Sequence, residues 1–347
     1  HGFYRVDEWE LPVVDGKNLV SIEVAGYNAN SYAYLDQPSF IQAEVVAGDR
    51  VIAATGARSF SAYRIKERIQ KIQRYSFQRP FAEAYKLSQR SADWSSKISF
   101  RRPSEPIEIL GERKLVERGV SYPAFETRQV QAQTASGTVR PIKNADPRGG
   151  REWWTKIPNC KMFPSTSRTL YPLHELQSLA STVRSSRAQD FHGEKDLSLK
   201  QDAFRVLDCG CNLTGFVGLH VECDEPVDLY LAFDELAMEN GDVSLTRYGC
   251  CSIVKYALKP GCYDLETIEP YQLKYLKLIA LGGSCKVSGV YLREYACPDS
   301  SRASFACSDH RVNALFEAAR QTFRQNSVDI FMDCPGRERA GWLCDSF

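Results

Sequence analysis

Residues 227–236, VDLYLAFDEL, set Val227, Leu229, Leu231 and Phe233 on one side of an extended chain. An apolar side chain at every second position marks a strand with one face on a core, because successive side chains of an extended backbone point to opposite faces. Turn residues follow at once: MENGDV (238–243) carries Asn240-Gly241, a pair that accepts the positive φ of a tight turn. LKYLKLIALGG (273–283) is a further apolar run ending in glycines, and KVSGVYLREY (286–295) repeats the alternation. Several short strands separated by turn residues between 203 and 297 predict a β-sandwich.

Outward from there, the first sixty residues also read as β. NLVSIEVAGY (18–27) alternates Ile22 and Val24 against polar neighbours, and SFIQAEVVAGDRVIAATG (39–56) places Ile41, Ala43 and Val45 on one face before Gly48-Asp49 and a second apolar run. An antiparallel hairpin is expected there. Residues 64–102 hold eleven Lys/Arg against Glu67, Glu83 and Asp93, a local balance of +8. Ile65, Ile69 and Ile72 fit helical spacing, but Ile65 and Ile69 also fit a strand, so the element type stays open. Interleaved Tyr75, Phe77 and Phe81 resemble a nucleic-acid patch; a solvated face whose charges pair with acidic neighbours is the favoured reading. Between 103 and 200, SYPAF, TASGTVRPIKNADPRGG and PSTSRTLYP predict long loops between short strands. Trp153-Trp154 either cover a core edge, the favoured reading, or offer a sugar-stacking surface.

Composition bounds the function classes. A chain of 347 residues suits two or three domains, and 43% hydrophobic content is ample for ordinary cores. The formal net charge of +1 provides no global field to recruit nucleic acid or a membrane surface. No run approaches the roughly 18 apolar residues of a membrane-spanning helix. HGFYRVDEWELPVVDGKNLV (1–20) holds no Met, no basic stretch and no apolar leader core, which fits a fragment or a processed form. Of twelve cysteines, all but Cys160 lie from Cys209 to Cys344, and none forms a C-x-x-C pair. Neither Cys209/Cys211 nor Cys250-Cys251 has zinc-finger spacing. Most sit in apolar runs where a thiol behaves as a small hydrophobe, so buried free thiols are expected. That usage favours a reducing, cytoplasmic compartment, with a periplasmic one open if a leader was removed. No cofactor and no metal ligand set is expected, and no compact acidic calcium loop is visible.

The period then changes. In SDHRVNALFEAARQTFRQNS (308–327), Val312, Leu315, Phe316, Ala319 and Phe323 recur at helical spacing, with Ser308 or Asp309 as the N-cap. This helix either lies against the sandwich or begins a helical domain. It leads directly into DCPGRERAGWLCD (333–345), where Pro335, Gly336 and Gly341 exclude a regular helix and leave a loop. Three carboxylates, two arginines and an indole within thirteen residues suit a pyranose: acids bind ring hydroxyls or protonate a leaving oxygen, and indole covers an apolar sugar face. A general acid must hold its proton near neutral pH, whereas a close cation favours loss of that proton. Glu338 lies between Arg337 and Arg339, so the role requires both guanidinium groups to point elsewhere while Asp333, Asp345 and Trp342 supply like charge and desolvation. The alternative is a salt-bridged turn that stabilises the helix exit.

DCPGRERAGWLCD resembles the D-C-P-x-R-E-R-x-G-W-x-G-D signature of bacterial α-L-rhamnosidases, inverting enzymes with an (α/α)6 six-hairpin catalytic barrel. Nine of the ten specified positions match, and Cys344 stands where the family usually has Gly. HGFYRVDEWEL and NSYAYLDQPSFIQAEVV look like that family's galactose-binding-like N-terminal sandwich. LAFDELAMENGDV and EPYQLKYLKLIA look like the second sandwich before its barrel. The resemblance implies Glu338 as general acid, Asp333 and Asp345 as carboxylates holding rhamnose hydroxyls, Trp342 as a pocket wall and Arg337 as a further sugar-binding residue. It implies a general base on a later barrel segment, which nothing in this chain matches.

The expected fold class is mainly β. Tandem β-sandwiches, the first galactose-binding-like, precede the first helix of an (α/α)6 six-hairpin barrel. The expected divisions are a sandwich over 1–105, a connecting segment over 106–200, a second sandwich over 201–300 and the start of the catalytic domain over 301–347. The expected partners are rhamnose-containing oligosaccharides, polysaccharides or glycosides, with no nucleic acid and no membrane span; the oligomeric state is open. The alternatives are a non-catalytic carbohydrate-binding β-sandwich protein and a six-hairpin glycosidase acting on another sugar.

Overall fold

The computed structural model describes residues 4–27, 31, 37–56, 59–76, 78–89, 105–111, 113–143, 170, 172–191 and 195–342. Among them the strands are, in chain order, β1 (Tyr4–Val6), β2 (Glu44–Ala47), β3 (Arg50–Ala54), β4 (Glu83–Leu87), β5 (Leu115–Glu117), β6 (Thr127–Gln129), β7 (Ala132–Pro141), β8 (Leu179–Ser185), β9 (Gln189–Asp190), β10 (Leu197–Leu199), β11 (Ala203–Cys223), β12 (Val227–Asp234), β13 (Ile253–Leu258), β14 (Gly261–Glu266), β15 (Tyr271–Leu281) and β16 (Cys285–Glu294). The helices are α1 (Pro172–Gln177) and α2 (His310–Asn326). The fold is mainly β, with its long helix after the strands, as the sequence predicts. No helix among the described residues is long and apolar enough to cross a membrane.

The long strand β11 organises the molecule. Its first half, Phe204–Asp208, lies between β7 and β15, and its second half, Gly215–Cys223, runs between β14 and β16. The register breaks between Asp208 and Leu213, where Gly210 takes a φ of 84° and donates its N–H to Asp208 Oδ1 at 2.7 Å. A bulge of this kind bends and twists a strand, letting one segment serve two layers. Beyond β15 the sheet continues through β12 and β13 to β4, which pairs with β13 in parallel.

Packing follows the alternation. Val227, Leu229, Leu231 and Phe233 meet Leu219, Val221, Val287 and Leu292 in one core between the layers. The intervening Tyr230 and Ala232 join Phe204, Ile72, Phe81 and the α1 residues Leu173 and Leu176 in a second core on the outer face. β12 is therefore buried on both sides.

Two readings need correction. Residues 18–27 form no strand, and Ile22 and Val24 are exposed; alternation makes a strand only where a neighbour takes up the backbone N–H and C=O groups. Conversely TASGTVRP, read as loop, is the body of β7, paired with β8 and β11. Its Gly137 is there for close approach, since an added Cβ would lie 2.1 Å from Thr182 O and 2.6 Å from the Phe204 ring. The expected hairpin does form: β2 and β3 close through Ala47 and Arg50 around Gly48, whose φ is 59°. Trp153 and Trp154 lie outside the described residues.

The α2 helix begins at the predicted cap, with Asp309 accepting from Arg311 N at 2.9 Å. Its C-terminal end is fastened to the sandwich: Gln325 Oε1 accepts from Thr214 N at 2.7 Å and Gln325 Nε2 donates to Glu294 Oε1 at 3.0 Å. Arg324 and Arg128 both pair with the buried Glu294. Burial alone would raise the Glu294 carboxyl, but these donors reverse the sign and hold it below its ordinary value. The apolar stripe is exposed at Val312, Leu315 and Phe323.

Candidate active site

After α2 the chain forms a loop with a closed neck. Asp333 N donates to Ala340 O at 3.0 Å, and Ala340 N donates to Asp333 Oδ1 at 3.2 Å. Arg339 N reaches Cys334 O at 3.1 Å, sealing the turn over Pro335–Glu338. Arg339 leaves that turn with a φ of 55°, the left-handed region that costs a Cβ-bearing residue roughly 1–2 kcal/mol. The predicted loop is thus a built structure. Asp333 closes it, its Oδ2 also accepting from Cys334 Sγ at 3.1 Å.

The loop rests on Ser76, Gln78 and Arg79. Ser76 Oγ donates to Arg337 O at 3.3 Å and accepts from Gln78 N and Arg79 N at 3.2 and 3.0 Å. Arg79 Nη1 donates to Gly336 O at 2.6 Å. Gln73, Arg74, Ser76, Gln78 and Arg79 are all buried. The expectation of a solvated basic face therefore fails for this stretch. Its charges do find acids, but in the interior, where an unpaired cation is costly, and no helix forms around Ile65, Ile69 and Ile72.

Glu338 lies on this support, its side chain 12% exposed. Its Oε1 accepts from Arg337 Nη2 at 2.6 Å and from Gln78 Nε2 at 3.3 Å, and its Oε2 accepts from Trp342 Nε1 at 3.0 Å. The condition that both guanidinium groups point elsewhere is met by one of them. Arg337 binds the carboxyl directly, because in a tight turn the neighbouring carboxylate is the acceptor within its reach.

Arg339 turns away. Its Nη1 donates to Glu269 Oε2 at 2.8 Å, an oxygen that also pairs with Arg79 Nη2 at 3.4 Å. Glu269 stands in the turn between β14 and β15, and Glu83 of β4 fixes that turn. Glu83 Oε1 accepts from Glu269 N and Tyr271 OH, both at 2.9 Å, and its Oε2 accepts from Ile268 N at 3.1 Å and Tyr85 OH at 2.8 Å. Burial raises the Glu83 carboxyl despite these donors. At Glu269 burial pulls the same way, but the Arg339 and Arg79 charges outweigh it and the net shift is downward. Arg79 also stacks over Tyr75, 4.4 Å from the ring centroid.

Asp333, Arg337, Glu338 and Trp342 are thus brought together, with Trp342 partly exposed beside the carboxyl; Asp345 lies outside the described residues. Gln78, Arg79, Glu83 and Glu269 were missed. Three of them lie within residues 78–83 and the fourth at 269, all far from the motif in sequence, and no spacing links them to it. A cavity of about 310 Å³ lies elsewhere, lined in part by Arg128, Glu294, Arg320 and Arg324, and none of the described motif residues lines it. Its charges are engaged with one another or with Glu317, so we do not take it as the site.

Residues 300–346 match the model of the bacterial α-L-rhamnosidase six-hairpin glycosidase domain. An α-L-rhamnosidase of Formosa agariphila is 26% identical over 151 residues, covering 41% of this chain and 16% of that protein. The crystal structure of the GH78 family rhamnosidase of Bacillus sp. GL1 superposes with a TM-score of 0.62 at 16% identity, covering 92% of this chain and 50% of the other. The chain thus spans half of that solved relative and a smaller share of the curated one. Residues 300–346 thus resemble the six-hairpin domain of the bacterial α-L-rhamnosidases, and the fold over most of the chain resembles that of the Bacillus sp. GL1 structure.

Proposed function

We propose that the protein containing this chain hydrolyses terminal α-L-rhamnosides with inversion, Glu338 being the general acid. The observation that carries this reading is the asymmetry of the Glu338 carboxyl. Oε1 is fixed by Arg337 and Gln78, while Oε2 has, among the described residues, the indole N–H of a partly exposed Trp342. Oε2 is therefore the atom that delivers the proton. It protonates the glycosidic oxygen as the C1–O bond breaks, and the electron pair leaves with the aglycone. Trp342 then walls the sugar, and Arg337 Nη1, which has no partner among the described residues, donates to a hydroxyl. Asp333, each of whose oxygens has a second lone pair, accepts a hydroxyl while it closes the loop. Asp345 is assigned a similar task from its motif position.

Inversion needs a second carboxyl about 6.5–9.5 Å away with a water between. We assign it to the part of the six-hairpin domain that the match over 300–346 does not include, and the divisions at 105, 200 and 300 belong to the same proposal. Residues 1–347 alone should then give no turnover. The test is proton NMR of full-length protein acting on an aryl α-L-rhamnoside. β-L-rhamnose as the first-formed sugar is expected, whereas α-L-rhamnose contradicts inversion and no release contradicts the substrate class.

A further inference from the structure

We infer that Glu269, supplied by the β-sandwich, is a positioning residue for the acid: it holds Arg339 off Glu338, so that the carboxyl faces one guanidinium instead of two. The inference rests on the reading of Glu338 as general acid, and it answers a difficulty the motif itself raises. Two arginines flank the carboxyl in sequence. One is bound to it at 2.6 Å, and a second cation in contact would favour loss of the proton that the reaction requires. The fold removes the second. Arg339 leaves the turn through a left-handed backbone and is received by a buried carboxylate from another segment at 2.8 Å.

The receiving group is itself built. Glu83 holds the 268–271 turn through the Ile268 and Glu269 N–H groups and the Tyr271 hydroxyl, with Tyr85 OH also on its carboxylate, and Arg79 pairs with the Glu269 carboxylate beside Arg339. Among the described residues, the following charged and titratable groups stand around Glu338. Its own loop provides Arg337, Arg339, Asp333 and the Cys334 thiol, which accepts Glu338 N at 3.5 Å. The 76–79 segment provides Arg79, and the sandwich provides Glu269 and the buried Cys250, whose thiol feels Cys334 and Arg337. Among them Glu269 and Asp333 are the acids, and Asp333 is engaged in the neck. Removing Glu269 therefore raises the positive charge near the acid whether Arg339 swings back or stays.

The experiment is the pH dependence of kcat/KM for an aryl α-L-rhamnoside, measured on full-length wild type, Glu269→Gln, Arg339→Gln and the double variant. The alkaline limb reports loss of the acid's proton. In Glu269→Gln it should move to lower pH by about one unit, and in the double variant it should return towards wild type. In Arg339→Gln alone it should move to higher pH. A merely structural Glu269 would lower the rate at every pH and leave the limb in place, and that result overturns the inference. Should Glu269→Gln fail to fold, Arg339→Gln decides alone, and an unmoved limb there also overturns it. Glu338→Gln separates the two levels. If it keeps full turnover, the acid assignment fails; if it is inactive and the other limbs do not move, only the role of Glu269 fails.

Discussion

Glu338 sits among three hydrogen-bond donors, yet two of them hold a single oxygen. Trp342 governs the other. Trp342→Phe keeps a ring beside the sugar but removes the N–H. We expect kcat to fall more than KM rises, because the lost bond is to Glu338, the proposed acid, rather than to the substrate; steady-state kinetics on the full-length protein checks this. A rise in KM alone would make Trp342 a sugar wall and nothing more. The motif residues were legible in sequence because they are contiguous, so their chemistry could be read together. Which arginine touches Glu338 was not legible. That depends on a left-handed residue at Arg339 and on a carboxylate 70 residues upstream.

At the scale of elements, the molecule is held by ionic joints between segments. Arg79 is 3% exposed at its side chain and Glu269 9%, so this is a buried pair. Removing one partner of such a pair leaves a stranded charge and costs about 3–5 kcal/mol. Arg79→Met leaves Glu269 its Arg339 partner, so it should lower unfolding stability by less than that in a denaturant titration, and it should loosen the loop, since the Gly336 carbonyl loses its donor. Glu294 predicts a pH effect of definite sign. Its carboxyl is held below its ordinary value of 4.5 by Arg324 and Arg128 against the pull of burial. The stability it contributes is complete above that ordinary value and is lost as pH falls through the lower native one. The protection factors of the C-terminal turn of α2 in hydrogen exchange, taken relative to the intrinsic rate at each pH, should therefore fall on acidification, and Glu294→Gln should flatten that dependence.

Elements also show where sequence reading stops. β12, β15, β16 and α2 were readable because their apolar residues recur with a strand or helix period, on α2 even though Val312, Leu315 and Phe323 are exposed. β7 was not, because its Gly137 and Ser136 serve close approach to β8 and β11 and so mimic a loop. The 73–83 segment was misjudged for the opposite reason: its polar residues are interior, and pattern alone treats charge as surface.

Over the whole molecule, the sandwich is the platform on which the motif loop is set, and β12 joins its two cores, buried on both faces. Leu231→Ala in the inner core should cost about 2–5 kcal/mol, visible as a lowered unfolding midpoint, and the loop's support should weaken with it. The account depends above all on one group, the carboxyl of Glu338. The most direct test compares full-length wild type and Glu338→Gln on two aryl α-L-rhamnosides, one with a good leaving group and one with a poor one. The account predicts an unchanged unfolding midpoint and a loss of about 10²–10⁴-fold in turnover of the poor leaving group, with a smaller loss for the good one, which needs no proton. Equal and near wild-type turnover of both substrates by Glu338→Gln would contradict it.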